Sequence, residues 1–258
     1  MIIKYRLINL FLKKRTENEI HNVLMKWNNY YQNLSDHNKK VFRIRTVLFI
    51  KTTFFETEKG LELTNEMRIL ISSSFVQITF GLKQDVLNVF NDIFIAPKPY
   101  TFKHIDKTFE GDVNPYIKRI NLSWPAVERG FKISNDGINL AVHEFGHCLI
   151  IENSRRSYLS RIFNEKELEN WKILAKKKIE KIKSKRSRVL REYAGTNLME
   201  LFSVSIEEFF ERPHNFYNKE PKLYLSLCRL LNQDPRNKRN PKLSKSNFFN
   251  YPFSNNRA

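Results

Sequence analysis

Residues 143–147 read His-Glu-Phe-Gly-His, and this pentapeptide constrains the fold more than any other stretch of the chain. Its two histidines stand at positions i and i+4, which lie one turn apart on the same face of an α-helix. A helical backbone at this spacing lets two imidazoles reach one ion, and neutral imidazole is a usual ligand of zinc. Because H-E-x-x-H is a pattern typical of metalloproteases, His143 and His147 are predicted to be metal ligands on a helix.

Glu144, next to the first histidine, is the candidate general base. Its carboxylate can take a proton from a metal-bound water and later pass it to the leaving amine. The apolar flanks INLAV and CLII predict a buried helix that begins at Asp136, which could serve as its N-cap. Buried His and Glu side chains cost free energy unless they are paired or bound to a metal, which favours a metal site.

The third ligand has to come from elsewhere, because a catalytic zinc takes three protein ligands and leaves one position for water. Glu200 is the best candidate, since it lies within the apolar run NLMELFSV, where a carboxylate needs a strong partner such as a divalent cation. On the same predicted helix, Glu207, Glu208 and Glu211 are interpreted as solvated acids near its polar end. His214, outside that helix, is a weaker ligand candidate.

Tyr193 lies seven residues before Glu200. A phenol near a zinc ion could stabilise the oxyanion of a tetrahedral intermediate. Most tyrosines are packing residues, so the spacing alone leaves both roles open.

The periodicity of apolar residues predicts an α+β fold that is mainly helical, with a small sheet beside the H-E-x-x-H helix. Besides the helix from Asp136, helices are predicted at residues 16–35, 41–55, 64–81, 155–191, 196–211 and 222–231, and strands at 89–95 and 117–124. The run SFVQITF inside the third of these helices could instead be a strand. Residues 100–115 are predicted to form a loop, and a turn is expected near Gly130.

Three segments are expected along the chain: an N-terminal helical segment at residues 1–60 packed on the core, a catalytic domain at 61–235, and a basic, flexible tail at 236–258. The chain has 258 residues, of which 41% are hydrophobic, enough for one sizeable core. Two cysteines, Cys148 and Cys228, give no disulfide framework and are interpreted as buried thiols.

The formal net charge of +18 favours anionic partners in general. No recognised nucleic-acid motif accompanies it, so a nucleic acid is not the expected partner. Neither a signal peptide nor a run of 18 apolar residues is found, so no transmembrane segment is predicted and the expected location is the cytoplasm. A short basic amphipathic anchor at residues 1–15 is the alternative.

Five segments follow one another along the chain: GLELTNEMRILI, INLSW, DGINLAVHEFGH, NLMELFSVSIEEFFERP and LYLSLCRLLNQDP. In this order they resemble the segments of the Mlc titration factor A family of zinc peptidases. The third matches the family's active-site helix, and the fourth matches the helix that carries the third ligand. Several separated motifs in the right order are far more specific than H-E-x-x-H alone.

The resemblance implies a zincin-like metallopeptidase of the gluzincin type, similar in its core to the catalytic domain of anthrax lethal factor. Carried over by position, His143, His147 and Glu200 hold one zinc ion per chain, and Glu144 is the base. Tyr193 occupies the position of the family's transition-state tyrosine.

Asp136 matches a family aspartate at the start of the helix and is expected to support the ligands without binding the ion. One position departs from the family, because Ile150 stands where an Asp is usual. The loop that follows, IENSRRSYLSRIF, departs as well. The rim of the site is therefore expected to differ, and the family's substrate preference is not transferred.

Two functions follow from the resemblance. The first is a zinc-dependent metallopeptidase, aminopeptidase-like in some relatives, that hydrolyses a peptide or protein substrate. The alternative is a regulatory binding protein that sequesters a transcriptional repressor of the Mlc type, with peptidase activity secondary.

Overall fold

The structure is a computed structural model, and it describes residues 14–101, 108–184 and 190–243. The helices in this part of the chain are α1 (Lys14–Trp27), α2 (Asn29–Gln32), α3 (Asp36–Thr52), α4 (Asn65–Thr79), α5 (Trp124–Lys132), α6 (Leu140–Arg155), α7 (Glu165–Lys183), α8 (Leu198–Glu211), α9 (Pro213–Lys219) and α10 (Pro221–Leu231). The strands are β1 (Phe54–Thr57), β2 (Asp92–Ala96), β3 (Tyr100–Thr101), β4 (Thr108–Phe109), β5 (Gly111–Asn114) and β6 (Arg119–Ser123). Two 3₁₀ turns span Tyr158–Ser160 and Glu192–Gly195.

Four strands form a mixed sheet in the order β1-β2-β6-β5. Strands β1, β2 and β6 are parallel, and β5 pairs antiparallel with β6 at one edge. Ile93 pairs with Ile120 at the centre of the sheet, and both side chains are fully buried. The prediction of a mainly helical α+β fold with a small sheet is thereby confirmed.

Helix α4 lies buried in the core, and it begins after Thr64, as the sequence predicts. The Thr64 hydroxyl accepts a hydrogen bond from the Met67 N–H at 3.2 Å and caps the helix. Residues 69–79 are all buried, so the run that could have been a strand is a helix enclosed on every side.

The predicted helix at residues 41–55 is wrong at its C-terminal end. Helix α3 ends at Thr52, Thr53 adopts extended dihedral angles, and the chain continues into β1, where Phe55 pairs with Ile93. The β-branched and aromatic sequence TTFF favours a strand once a neighbouring strand is available.

Residues 100–115 are not a loop, because the described part of this region contains β3, β4 and β5. Gly, Asp and Asn are rare in strands, so the sequence GDVN of β5 gives no strand pattern. The strand is held instead by its register with β6, in which Val113 lies opposite Ile120. Residues 102–107 lie outside the described part.

The turn predicted near Gly130 is also wrong, because this residue lies inside α5. A Cβ atom at Gly130 would lie 3.0 Å from Cγ of Asn139. The glycine therefore allows α5 to approach the start of α6 closely and does not bend the chain.

The long helix predicted at residues 155–191 is interrupted. Helix α6 ends at Arg155, and the loop that follows is fixed by Asn153, whose Oδ1 accepts backbone N–H bonds from Ile162 and Phe163 at 2.9 and 3.1 Å. The chain resumes as α7 after the N-cap Asn164. Residues 185–189 lie outside the described part.

The N-cap of α6 is Asn139 and not Asp136. The Asn139 side chain accepts the N–H of Val142 at 3.2 Å, so the helix begins three residues later than predicted. Gly137 has a φ of +75°, a left-handed conformation that glycine adopts readily, and it turns the chain just before the cap.

One cluster of buried apolar residues extends from Ile20 in α1 to Leu231 in α10. Both cysteines are buried, as predicted. Among the residues that the structure describes, none of the helices has the length and apolar character needed to cross a membrane.

The expected division at residues 60 and 235 stays a prediction. In the expected tail, the Arg239 carbonyl accepts the Ser35 N–H at 3.0 Å, and residues 244–258 lie outside the described part. The alternative of an N-terminal anchor falls almost entirely on residues 1–13, which also lie outside it.

Helices α6 and α8 pack at very short range where Gly146 faces α8. A Cβ atom at Gly146 would lie 2.7 Å from Cδ1 of Ile206 and 2.8 Å from Oγ of Ser203. Distances this short leave no room for a methyl group unless the Ile206 and Ser203 side chains or one of the helices shift.

Gly146→Ala is expected to lower the free energy of unfolding by about 1–3 kcal/mol, because the methyl group overpacks the contact with α8. Urea titration would measure the loss. Ser154→Ala, on the exposed side of the same helix, serves as the control and should change stability by less than about 0.5 kcal/mol. A Gly146→Ala protein as stable as the wild type would contradict this account of the helix contact.

Candidate metal centre

His143 and His147 project from the same face of α6, with ring centroids 4.8 Å apart. Glu200, in the first turn of α8, places its Oε2 atom 3.2 Å from Nε2 of His143 and 3.5 Å from Nε2 of His147. One ligand atom from each of the three residues lies within 4.8 Å of the others. The three residues predicted as ligands are thus brought together in an arrangement that can hold a metal ion.

The Oε2 atom of Glu200 is buried and makes no hydrogen bond of acceptable geometry with the described residues, despite its short distances to both imidazoles. Burial alone would raise the pKa of this carboxyl group, but the contacts with His143 and His147 outweigh it and hold the pKa well below its usual range. An ionised, buried oxygen without a proper hydrogen bond is suited to coordinate a cation.

Glu200 is fixed by the start of its helix. The Asn197 side chain accepts the N–H groups of Met199 and Glu200 at 2.8 and 3.0 Å and so caps α8. The ligand therefore sits in a rigid first turn, with its backbone held directly by the cap.

Side chains of α8 contact the Nδ1 atom of each imidazole. Glu207 Oε1 lies 2.7 Å from Nδ1 of His143, and Ser203 Oγ lies 3.2 Å from Nδ1 of His147. The Ser203 hydroxyl also donates to the backbone carbonyl of His143 at 2.9 Å. These contacts turn both Nε2 atoms toward Glu200, the orientation in which they can bind one ion.

Burial lowers the pKa of His143, but the close contacts with Glu200 and Glu207 and the negative charges of Glu207 and Glu144 outweigh it and raise the pKa to about 10. Without an ion, the imidazole therefore keeps its proton at neutral pH. A metal ion has to displace that proton, so the affinity of the centre for metal increases with pH.

The interpretation of Glu207 and Glu208 as solvated acids is wrong, since each is only 1% exposed. Glu207 Oε2 also accepts the backbone N–H of Asn139 at 2.7 Å, which ties the start of α6 to α8. Its position seven residues after Glu200, two turns along the same helix face, is the sequence signal that could have identified it.

Glu208 points to the other side, where Arg212 pairs with it; one of the two hydrogen bonds, from Nε to Oε2, is 2.8 Å long. Glu211 is partly buried and accepts the N–H of Gly137 at 2.8 Å. His214 is exposed, in the short helix α9. Asp136 accepts the N–H of Ile138 at 2.9 Å, in the turn before α6.

Glu144 is 5% exposed and faces the edge strand β5. Burial raises the pKa of its carboxyl group, His143 and His147 oppose that effect, and the resulting pKa is about 7. A Cβ atom at Gly111 would lie 3.0 Å from Oε1 of Glu144, so the missing side chain lets β5 pass directly over this carboxylate. A carboxyl group that titrates near neutral pH is suited to exchange protons.

Tyr193 lies in the 3₁₀ turn before α8, with its ring 6.2 Å from that of His143. It is 46% exposed, and burial together with the charge and hydrogen bond of Glu200 raises the pKa of its hydroxyl to about 12. Arg191, at the start of the turn, donates to Glu207 Oε1 at 2.5 Å. The phenol is thus protonated at neutral pH and held beside the ligands.

A cleft runs between β5 and the two ligand helices. Its volume is about 200 Å³ toward the N-terminal end of α6 and about 260 Å³ toward the C-terminal end. Glu144 and Tyr193 line both halves, whereas Arg191 lines only the first and Met199 only the second. The ligand cluster therefore lies at the middle of an open groove.

A family model described as Glucose-regulated metallo-peptidase M90 matches residues 3–231. Mlc titration factor A of Serratia proteamaculans is 27% identical over 193 residues, which cover 69% of this chain and 73% of that relative. Mlc titration factor A of Klebsiella pneumoniae is 27% identical over 194 residues, 69% and 72% of the two chains. An uncharacterised protein of Synechocystis sp. is 21% identical over 210 residues, 76% of each chain.

Glu207→Gln is expected to weaken the binding of metal about 10–100-fold, because an amide cannot accept hydrogen bonds at both ends from His143, Asn139 and Arg191. Titration with Zn²⁺ against a chelator of known affinity measures this change. Glu208→Gln is the matched control, since that acid is equally buried and paired with an arginine on the side away from the ligands.

The two variants separate a local effect on the ligands from a general loss of stability. Equal metal affinities for Glu207→Gln and Glu208→Gln would show that the contact with Nδ1 of His143 does not matter for binding.

Proposed function

Because the chain belongs to the M90 family of glucose-regulated metallopeptidases, we propose that it is a peptidase that uses one zinc ion. In this proposal His143, His147 and Glu200 hold the ion. Glu144 is the general base, and Tyr193 stabilises the oxyanion. The observation that carries the proposal is the convergence of three ligand atoms beside a buried carboxyl group whose pKa is about 7.

The distances support zinc as the metal. Zinc bonds of about 2.0–2.2 Å to nitrogen and oxygen place tetrahedral ligand atoms roughly 3.3 Å apart. Oε2 of Glu200 lies 3.2 and 3.5 Å from the two Nε2 atoms, so two of the three distances between ligand atoms are already close to this value. Two histidines and one carboxylate are also a ligand set typical of catalytic zinc.

The chemistry that zinc supplies at such a site is Lewis acidity toward a carbonyl oxygen and toward water. Glu144 takes the proton from the attacking water and delivers it to the leaving amine. The Tyr193 hydroxyl, protonated at neutral pH, donates a hydrogen bond to the oxygen that becomes negative as the carbonyl carbon turns tetrahedral. Glu207 keeps His143 oriented during these steps.

The edge strand β5 supports the assignment of a zincin-like fold and of a peptide substrate. Gly111 lies against Leu140 and Glu144, and Val113 lines the cleft together with Ile151, so β5 and α6 run in the same direction. An extended peptide can add to this edge of the sheet through main-chain hydrogen bonds. Its scissile bond would then lie between β5 and the ligand cluster.

Glu144→Gln is expected to keep about one zinc per chain and to lose peptide hydrolysis, because the amide cannot accept the proton. Glu200→Ala is expected to lose most of the zinc, and Glu169→Ala, at an exposed position on α7, to keep it. Elemental analysis after gel filtration and a fluorogenic peptide assay measure the two properties. An active Glu144→Gln protein would rule out this residue as the base.

The relatives named Mlc titration factor A favour a second function. By this likeness, the chain binds and sequesters a transcriptional repressor, with hydrolysis secondary. A His143→Ala protein, unable to hold zinc, is expected to retain the repressor in a pull-down from host lysate if this function is correct. Loss of the repressor together with the zinc would tie the two properties to one site, and the absence of any repressor on the wild-type protein would exclude the second function.

A further inference from the structure

A second recess opens beside the metal centre on the side of His147, and we propose that it is a specificity subsite for a tyrosine side chain of the peptide substrate. The inference rests on the proposed peptidase function and names the substrate class that the function leaves open. The lining of the recess, its connection to the cleft and a buried indole N–H group support this assignment.

The recess has a volume of about 420 Å³, within the range of small-ligand sites. The larger part of its wall is apolar and comes from three helices, with Ile150 on α6, Leu168 and Trp171 on α7, and Leu198 and Met199 on α8. Four polar residues complete the lining: Asn153, Ser154, Arg161 and Lys172. Leu168 and Trp171 are buried and form the floor, whereas the other three are partly exposed and form the rim. A recess of this kind binds a large apolar group better than a charged one.

The recess is continuous with the catalytic cleft. Met199 lines both, and the next residue along α8 is the ligand Glu200. On the facing helix, Ile150 lines the recess and Ile151 lines the cleft. A substrate side chain that enters the recess therefore belongs to a residue close to the peptide bond that is cleaved at the metal centre.

The direction of β5 determines on which side of the cleaved peptide bond the recess lies. Antiparallel pairing is the more stable arrangement per residue, and a peptide antiparallel to β5 runs from Asn114 toward Gly111. Its N-terminal part then lies near Val113 and Ile151, the half of the cleft that adjoins the recess. The subsite thus takes a residue on the N-terminal side of the cleaved bond.

Trp171 carries a buried hydrogen-bond donor. The residue is 1% exposed, and its Nε1 atom is buried without a hydrogen-bond partner among the described residues. A buried indole N–H normally finds an acceptor. An occupant with an apolar body and an oxygen at its tip satisfies both the apolar wall and this donor, and among the amino acids tyrosine fits that description best.

The position of Ile150 agrees with an apolar occupant. An Asp at this position would introduce a negative charge into the rim of the recess. Burial of an apolar ring against a charge is unfavourable, so the isoleucine adapts the recess to an aromatic side chain.

The test is a cleavage profile of the zinc-loaded, full-length protein on a mixture of synthetic peptides that differ only in Tyr, Phe or Ala at positions preceding the cleaved bond. Mass spectrometry gives the relative kcat/KM values. For the wild type we expect Tyr to exceed Ala by at least about tenfold at one fixed position, and to exceed Phe by a few-fold.

Three variants test whether the residues of the recess produce the preference for aromatic side chains. Trp171→Phe removes the N–H group but keeps the ring, and should abolish the preference for Tyr over Phe while both still exceed Ala. Ile150→Asp should reduce both preferences, and Ile173→Asp, the same change at a position on α7 that is 50% exposed, should reduce neither. Thermal melting shows which variants are folded, and Trp171→Phe carries the test if Ile150→Asp is not.

The outcomes distinguish the subsite from the activity. Cleavage by the wild type without a preference for aromatic residues, or an unchanged ratio of Tyr to Phe in Trp171→Phe, overturns the subsite alone. Absence of any cleavage by the zinc-loaded wild type overturns the proposed peptidase function and the subsite with it.

Discussion

The close contact of α6 with α8 is the constraint on which the metal centre depends. The ligands come from two helices that are far apart in the sequence, and Gly146 lets those helices approach until Ser203 touches the backbone of the H-E-x-x-H turn. A larger side chain at this contact would hold the two helices farther apart and would leave Glu200 farther from the two histidines. Gly146, which the H-E-x-x-H pattern leaves unspecified, thus matters to the geometry of the site as much as the two histidines do.

The charges of the centre are arranged so that each buried acid has a specific partner. Glu200 faces the two imidazoles, Glu207 lies behind one of them, and Glu208 turns away to Arg212. On Glu144, burial outweighs the opposing charges of His143 and His147, so the pKa of its carboxyl group is about 7. Carboxyl groups of one type therefore differ in proton affinity according to their surroundings, as a metal ligand and a proton carrier require.

The sequence predicted that His143, His147 and Glu200 lie together because its signals are local. The spacing of the two histidines fixes their common helix face, and Glu200 stands as a single acid in an apolar run. Glu207 was missed because it adjoins Glu208 in a sequence that reads as a polar helix end, and its burial depends on Arg191 and on Asn139, which arrive from distant parts of the chain. Strand β5 was missed for a similar reason, since pairing with β6 holds it and its own composition does not favour a strand.

One oxygen of Glu207 contacts two groups, the imidazole of His143 and the guanidinium of Arg191. Oε1 lies 2.7 Å from Nδ1 of His143 and 2.5 Å from the guanidinium of Arg191, which begins the turn that carries Tyr193. Exchange of a proton for a metal ion on His143 changes the charge that this oxygen sees, and hence the strength with which it holds the arginine. If an ion binds at His143, this shared oxygen therefore links the charge at the ion to the turn that carries Tyr193.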